Sequence, residues 1–224
     1  MTALIALTTR LRLARLALVV PAELTGTEAA DFAAAGADLI ILSTGDRSVE
    51  EAAGEHAAAR GRLFGLPALL AVDRTDVAAA AHADVVHLGR APVRPGEARP
   101  HPYALVGGRL TGTPDLARLG GDGLDYGFVG PAIVDGAVGD EVAAAASALP
   151  PLALPAHPVW FAAGGITLDT ITDVLAAGAR RVTVSTAVFG AADPLAVTRS
   201  LADAVAAAWE ADGGSAAYRL DAFA

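Results

Sequence analysis

The sequence predicts one closed (β/α)8 barrel, an α/β TIM barrel. Three observations carry that reading. Eight short apolar runs recur along the 224 residues. Most are apolar throughout rather than alternating, as parallel strands covered on both faces are. Alanine-rich helical stretches separate them along almost the whole chain, which favours a closed barrel over a doubly wound open sheet. The length suits a single core, and no composition shift marks an internal boundary. Residues 1–212 are therefore read as one barrel domain, and 213–224 as a C-terminal tail whose packing is left open.

The first strand is placed at 16–21. Arg10, Arg12 and Arg15 precede Leu16-Ala17-Leu18-Val19-Val20-Pro21 and loosely imitate a secretory signal. The apolar stretch is short for that role and no small-residue cleavage site follows, so a buried strand and a cytoplasmic protein are expected. A helix at 27–35 ends at Ala35-Gly36-Ala37-Asp38, a glycine stop directly before strand 38–43. Helix 49–63 leads to strand 67–73, and helix 75–82 to strand 84–89. The stretch 94–102 follows Pro92 and holds Pro95, Pro100 and Pro102, leaving room for a very short helix or a loop. Strand 103–110, helix 115–119, strand 125–131 and helix 141–149 follow. Strand 158–165, helix 168–177, a second glycine stop at Ala177-Gly178-Ala179-Arg180, strand 181–188 and helix 194–211 complete the pattern.

Composition narrows the function. The chain is 54% hydrophobic with no long uninterrupted apolar run, which excludes a disordered chain and a spanning helix. The absence of cysteine excludes disulfides, thiolate metal sites and a cysteine nucleophile. All 16 basic residues are arginine, against 25 acidic residues, for a net charge of −9. Without lysine there is no Schiff-base chemistry. Without a basic run, no nucleic-acid partner is expected. No membrane partner is expected either, and a homo-oligomer is left open.

In a barrel the ligand sits at the C-terminal ends of the strands. The most specific feature there is a pair of loops. Gly164-Gly165 end strand seven and Ser185-Thr186 end strand eight, where phosphate barrels gather backbone N–H groups around an anion. Gly164, Gly165, Ser185 and Thr186 are accordingly the candidate phosphate-binding residues. Asp73, ending strand three, is either a helix N-cap or a Mg²⁺ ligand. Asp46 has the same ambiguity, and Asp135 lies in a glycine-rich loop as an acid, a metal ligand or a solvated residue. His87 within strand four reads as a hydrogen-bonded structural residue. His56, His82, His101 and His157 have no recognisable catalytic partner, and no catalytic residue is assigned.

Five segments occur in register: Leu70-Ala71-Val72-Asp73-Arg74, Asp84-Val85-Val86-His87-Leu88-Gly89, Tyr126-Gly127-Phe128-Val129-Gly130-Pro131, Ala163-Gly164-Gly165-Ile166 and the strand from Val182 to Val188. Together they resemble the thiamine phosphate synthase and thiazole tautomerase family, of which this chain is a divergent member. The resemblance implies a barrel that binds a small phosphorylated substrate. In the synthase branch it implies joining a pyrimidine pyrophosphate to a thiazole phosphate, with Mg²⁺ assisting departure of pyrophosphate. The departures cluster at the leaving-group end. The family's Gln-Leu-Arg-Glu-Lys aligns with Ile41-Leu42-Ser43-Thr44-Gly45, and its Asn-Asp-Arg with Val72-Asp73-Arg74. An acidic metal ligand is replaced within Arg90-Ala91-Pro92, a Thr-x-Thr-Lys loop aligns with Asp135-Gly136-Ala137-Val138, and the tautomerase histidine has no counterpart in Gly107-Gly108-Arg109-Leu110. Charge developing on a leaving pyrophosphate must be met by positioned cations, and losing one donor costs about 10²–10³ in rate. Arg90 and Arg109, ending adjacent strands, are candidates for a rebuilt pyrophosphate site; the alternative is surface arginines. Three readings follow: a phosphorylated-heterocycle binder with impaired or altered transferase chemistry, an active synthase with a relocated metal and pyrophosphate site, or a phosphate-barrel isomerase or epimerase using Asp73 and Asp135.

Overall fold

In the computed structural model, described for all residues except 1, 25–27, 90–94, 112, 121–122, 156–158 and 224, the chain closes an eight-stranded parallel barrel. The elements in order are α1 (Thr2–Leu13), β1 (Leu16–Val20), α2 (Ala29–Ala34), β2 (Leu39–Leu42), α3 (Val49–Arg62), β3 (Leu69–Val72), α4 (Thr75–Ala81), β4 (Val85–Leu88) and α5 (Pro95–Ala98). There follow β5 (Leu105–Leu110), a 3₁₀ turn (Thr113–Arg118), β6 (Tyr126–Val129), a hairpin of β7 (Ile133–Val134) and β8 (Ala137–Val138), α6 (Asp140–Ala148) and β9 (Val159–Ala163). The last are α7 (Ile171–Ala176), β10 (Val182–Val184), α8 (Thr186–Phe189), α9 (Pro194–Ala211) and α10 (Ser215–Ala222). Around the barrel the strands run β1-β10-β9-β6-β5-β4-β3-β2.

The strands read as continuous apolar runs because both faces are covered. Alternate residues, among them Ala17, Leu39, Ile41, Leu69, Ala71, Val85, Leu105, Tyr126, Phe128, Val159 and Phe161, fill the barrel interior. Their neighbours pack outward on the helices, as the twofold alternation of a strand requires. Gly107 is dictated by this interior. A Cβ there would lie 1.9 Å from Tyr126 Cζ, so the Tyr126 ring occupies the space a side chain would take.

Three differences from the sequence reading have clear causes. Residues 2–13, read only as a prelude to the first strand, form α1, and its Leu7 and Leu11, with Ala14 just after it, join the interior cluster. The apolar interior of the barrel needs a cover at one end, and α1 supplies it. Strand 181–188 is shorter than expected: β10 stops at Val184 and Thr186 opens α8. The tail is ordered as α10, with Tyr218 and Ala222 buried. The fully buried Arg181 fastens these parts together. Its guanidinium donates to the carbonyls of Ala14 (3.1 Å), Pro151 (2.8 Å) and Arg12 (2.8 Å) and to the Tyr218 hydroxyl (2.9 Å). Its Cζ also lies 4.7 Å from the centre of the Trp209 ring.

Candidate functional site

The loops after β9 and β10 meet around a cavity of about 510 Å³ at the C-terminal mouth of the barrel. Its lining includes Gly164, Gly165, Ser185 and Thr186, all four candidate phosphate residues, so the barrel brings them together. Val19, Phe128, Ala163 and Thr183 form the floor from inward positions of four strands, and Ile166, Thr167, Val184 and Ala187 complete the wall.

The physical reasons for these residues differ in part from those the sequence suggested. Gly164 (φ +97°) and Gly165 (φ +77°) occupy backbone regions that side chains avoid. They are also pressed by the β7–β8 hairpin: a Cβ on Gly165 would stand 2.8 Å from the Ile133 Cβ. The hairpin is bonded to this loop, with Ala132 N–H donating to the Ala163 carbonyl at 2.7 Å and Ile133 N–H to the Gly164 carbonyl at 3.0 Å. The glycines therefore admit the hairpin as much as they clear space for a ligand. They do not open a helix directly, since α7 begins at Ile171 after an intervening turn. On the β10 side the first intrahelical bonds are those of Val188 and Phe189 N–H to the Ser185 carbonyl. The Thr186 and Ala187 N–H groups precede them and have no acceptor within α8. The Ser185 hydroxyl donates to the Val19 carbonyl at 2.7 Å, so its side chain ties β10 to β1.

A second recess of about 260 Å³ adjoins the first, sharing Phe128, Ala163 and Gly164, and is lined by His87, Gly89, Arg109 and Gly130 as well. Arg109 is exposed on β5, and among the described residues its guanidinium has no hydrogen bond or ion pair. An unsatisfied planar cation beside the phosphate loop can take an anion bidentately. Arg90 lies outside the described residues. His87 Nδ1 is 3.2 Å from the Tyr126 hydroxyl, and its ring centre is 4.3 Å from that of Phe128. Burial lowers its pKa to about 4, so the ring is neutral at neutral pH.

Asp73 is not a helix cap. Arg74 holds the N-cap position of α4, while Asp73 Oδ1 accepts from Thr44 N–H (2.9 Å) and Thr44 Oγ1 (2.7 Å). The carboxylate thus bridges the ends of β2 and β3, and Oδ2 has no partner among the described residues. Mg²⁺ is satisfied by one or two carboxylates with water and phosphate oxygens. Among the described residues no group of three or more His, Asp or Glu side chains is placed to hold a metal. The donor set therefore fits Mg²⁺ only as an ion shared between Asp73 and a ligand's phosphates. Asp135 (φ +49°) and Gly136 (φ +81°) form the two-residue turn of the hairpin, as Asp-Gly pairs do. Asp135 is exposed there, Asp46 is exposed in the turn after β2, and neither lines the two recesses. Asp73 does not line either recess, so the two cavities bring neither member of the Asp73–Asp135 pair to their walls.

Thr183, Phe128, Val19 and His87 were missed as lining residues. For Thr183 the signal was present, since counting back by two from Ser185 reaches it. Val19, His87 and Phe128 lie on other strands, and their convergence follows only from closure of the barrel.

Residues 16–188 match the family described as thiamine monophosphate synthase. The chain is 37% identical over 189 residues to the thiamine-phosphate synthase of Methanoculleus marisnigri, covering 82% of this chain and 90% of that protein. It is 38% identical over 173 residues to the thiamine-phosphate synthase of Thermus thermophilus, covering 75% of this chain and 82% of that one. Among solved structures, a thiamine phosphate pyrophosphorylase from Pyrococcus furiosus superposes with a TM-score of 0.74 at 25% identity, over 90% of this chain and 98% of the other.

Proposed function

The chain belongs to the thiamine monophosphate synthase family, and from that premise we propose that it binds a phosphorylated heterocycle of the thiazole phosphate class, with transferase chemistry weakened or altered. The observation that carries the proposal is the contrast between the two ends of the mouth. At the proposed phosphate end, two positive-φ glycines and the first residues of α8, whose opening N–H groups have no acceptor within the helix, line one cavity. Among the described residues the leaving-group end has few cationic donors. Ser43 and Gly45 stand at the positions aligned with the family's strand-two cations, and Thr44 between them engages Asp73, the carboxylate among the described residues that fits a shared metal. Mg²⁺ bound there with a diphosphate would neutralise leaving-group charge, the contribution such an ion makes in phosphate chemistry.

Calorimetric titration tests this. Thiazole phosphate should bind, pyrophosphate should bind weakly, and Mg²⁺ should change the pyrophosphate affinity little. Robust Mg²⁺-dependent condensation of a pyrimidine pyrophosphate with thiazole phosphate would overturn the proposal in favour of an active synthase with a rebuilt anion site. The observation that favours that second reading is the unpaired Arg109 beside Gly164. Under it, Arg109→Ala should weaken pyrophosphate binding at low ionic strength by about 1.5–3 kcal/mol, the range for hydrogen bonds to charged groups. Arg109→Lys should not fully restore it, because the planar two-point contact is lost.

A further inference from the structure

The floor of the phosphate cavity holds one polar side chain whose hydrogen bonding is incomplete. Thr183 points inward from β10, paired in register with Ala17 of β1 and Ala163 of β9. It is 5% exposed and lines the cavity with Val19, Phe128 and Ala163. In this rotamer its Oγ1 is buried out of reach of the cavity, with no hydrogen-bond partner among the described residues. Leaving a buried hydroxyl unpaired costs about 1–3 kcal/mol, whereas valine has the same shape and carries no such cost. The other floor side chains are apolar, and the Ser185 hydroxyl above is committed to the Val19 carbonyl. A rotation about the Thr183 Cα–Cβ bond exchanges methyl and hydroxyl between staggered positions and breaks no hydrogen bond, because Oγ1 makes none.

We propose that Thr183 is the specificity-determining residue for the ring of the ligand, its Oγ1–H donating to a ring nitrogen that the phosphate loops hold over the cavity floor. This rests on the reading of the site as a phosphorylated-heterocycle pocket, and it adds what that reading lacks, a group that tells one ring from another. A site that hydrogen-bonds a ligand atom rejects the analogue lacking it because its own polar group is then left unpaired.

The test uses three probes: inorganic phosphate, thiazole phosphate, and the thiophene counterpart in which the ring nitrogen is replaced by CH. The parent protein should bind thiazole phosphate about tenfold more tightly than the thiophene phosphate. Thr183→Val should erase that preference, leave phosphate binding unchanged, and keep or raise the melting temperature without ligand. Thr183→Ser should retain the preference. A Thr183→Val variant that keeps the preference, or that melts several degrees lower, would overturn the proposal by assigning the hydroxyl a structural role. Equal binding of the two rings by the parent overturns it without any variant, as does a parent that binds phosphate but not thiazole phosphate. Failure of the parent to bind inorganic phosphate is a different result, and refutes the phosphate pocket itself.

Discussion

A buried histidine, His56, and a half-buried one, His87, should make this barrel sensitive to mild acid. His56 is 1% exposed on α3, facing the barrel, and His87 lies inside it. Burial, with Arg60 nearby in the case of His56, lowers both pKa values from 6.5 to about 4. The folded protein thus keeps both rings neutral down to about pH 4, while the unfolded chain protonates them below 6.5. Their contribution to stability is complete above pH 6.5 and is lost as pH falls through the interval to 4. Each pKa unit is 1.36 kcal/mol, so at pH 5 each histidine costs about 2 kcal/mol and the pair about 4. That is a large share of the 5–15 kcal/mol typical of folded domains. Other groups act differently. The carboxylates held low by hydrogen bonds, Asp76 and Asp115 among them, lose their contribution only below the ordinary carboxylate range. Asp38 is raised by burial, so its uptake of a proton favours the fold as pH falls. Urea unfolding at pH 7.5, 6 and 5, followed by tryptophan fluorescence, checks the argument. The parent should lose about 4 kcal/mol, His56→Leu and His87→Leu about half that, and the double variant almost nothing. A parent with equal stability at pH 7.5 and 5, or single variants that lose as much as the parent, would refute it.

Arg181→Met should cost about 3–5 kcal/mol, because it removes the donor shared by three carbonyls and Tyr218. Limited proteolysis should then cut before α10, and a variant that keeps α10 protected would contradict the fastening role. Gly107→Ala should cost about 1–3 kcal/mol by overpacking against Tyr126. Tyr126→Leu in the same chain should recover part of the loss of melting temperature, and strictly additive effects would show that the two do not share the space.

The barrel was legible because its strands are apolar on both faces and its helices end in glycine stops, as at Gly36 and Gly178, both at φ +104°. What escaped is what local pattern does not encode. The helix α1 has only weak amphipathic patterning, and its burial is fixed by the open end of the barrel beneath it. The pull of α10 onto Trp209 and Arg181 depends on residues far apart in the chain. At the site, the sequence identified the Gly164-Gly165 and Ser185-Thr186 loops but not the hairpin that leans on them. Asp73 carried a capping signature and took a different partner, Thr44, because the end of β2 lies within reach of it. Nothing in the residues between 44 and 73 announces that contact.

The two ends of the mouth are built from different materials, which is how, on the proposed reading, one could be kept while the other is altered. The phosphate end is made mostly of main chain: N–H groups placed by glycine dihedrals, by the start of α8 and by the hairpin bonded to Gly164. Replacing ligand-facing side chains leaves such donors where they are, provided the backbone path is kept. The leaving-group end of that reading depends on side-chain charge, so substitutions at a few positions, such as those occupied by Ser43 and Gly45, would empty it without disturbing the strands beneath. Those strands stay in register, with Val20 opposite Leu42 and Leu42 opposite Val72, because their pairing uses only main-chain groups and apolar contacts. On the proposed reading, binding and group transfer are separable in this barrel: affinity for a phosphorylated ring would follow the loops after β9 and β10, and reactivity would follow the charges that reach the mouth from β2 to β5.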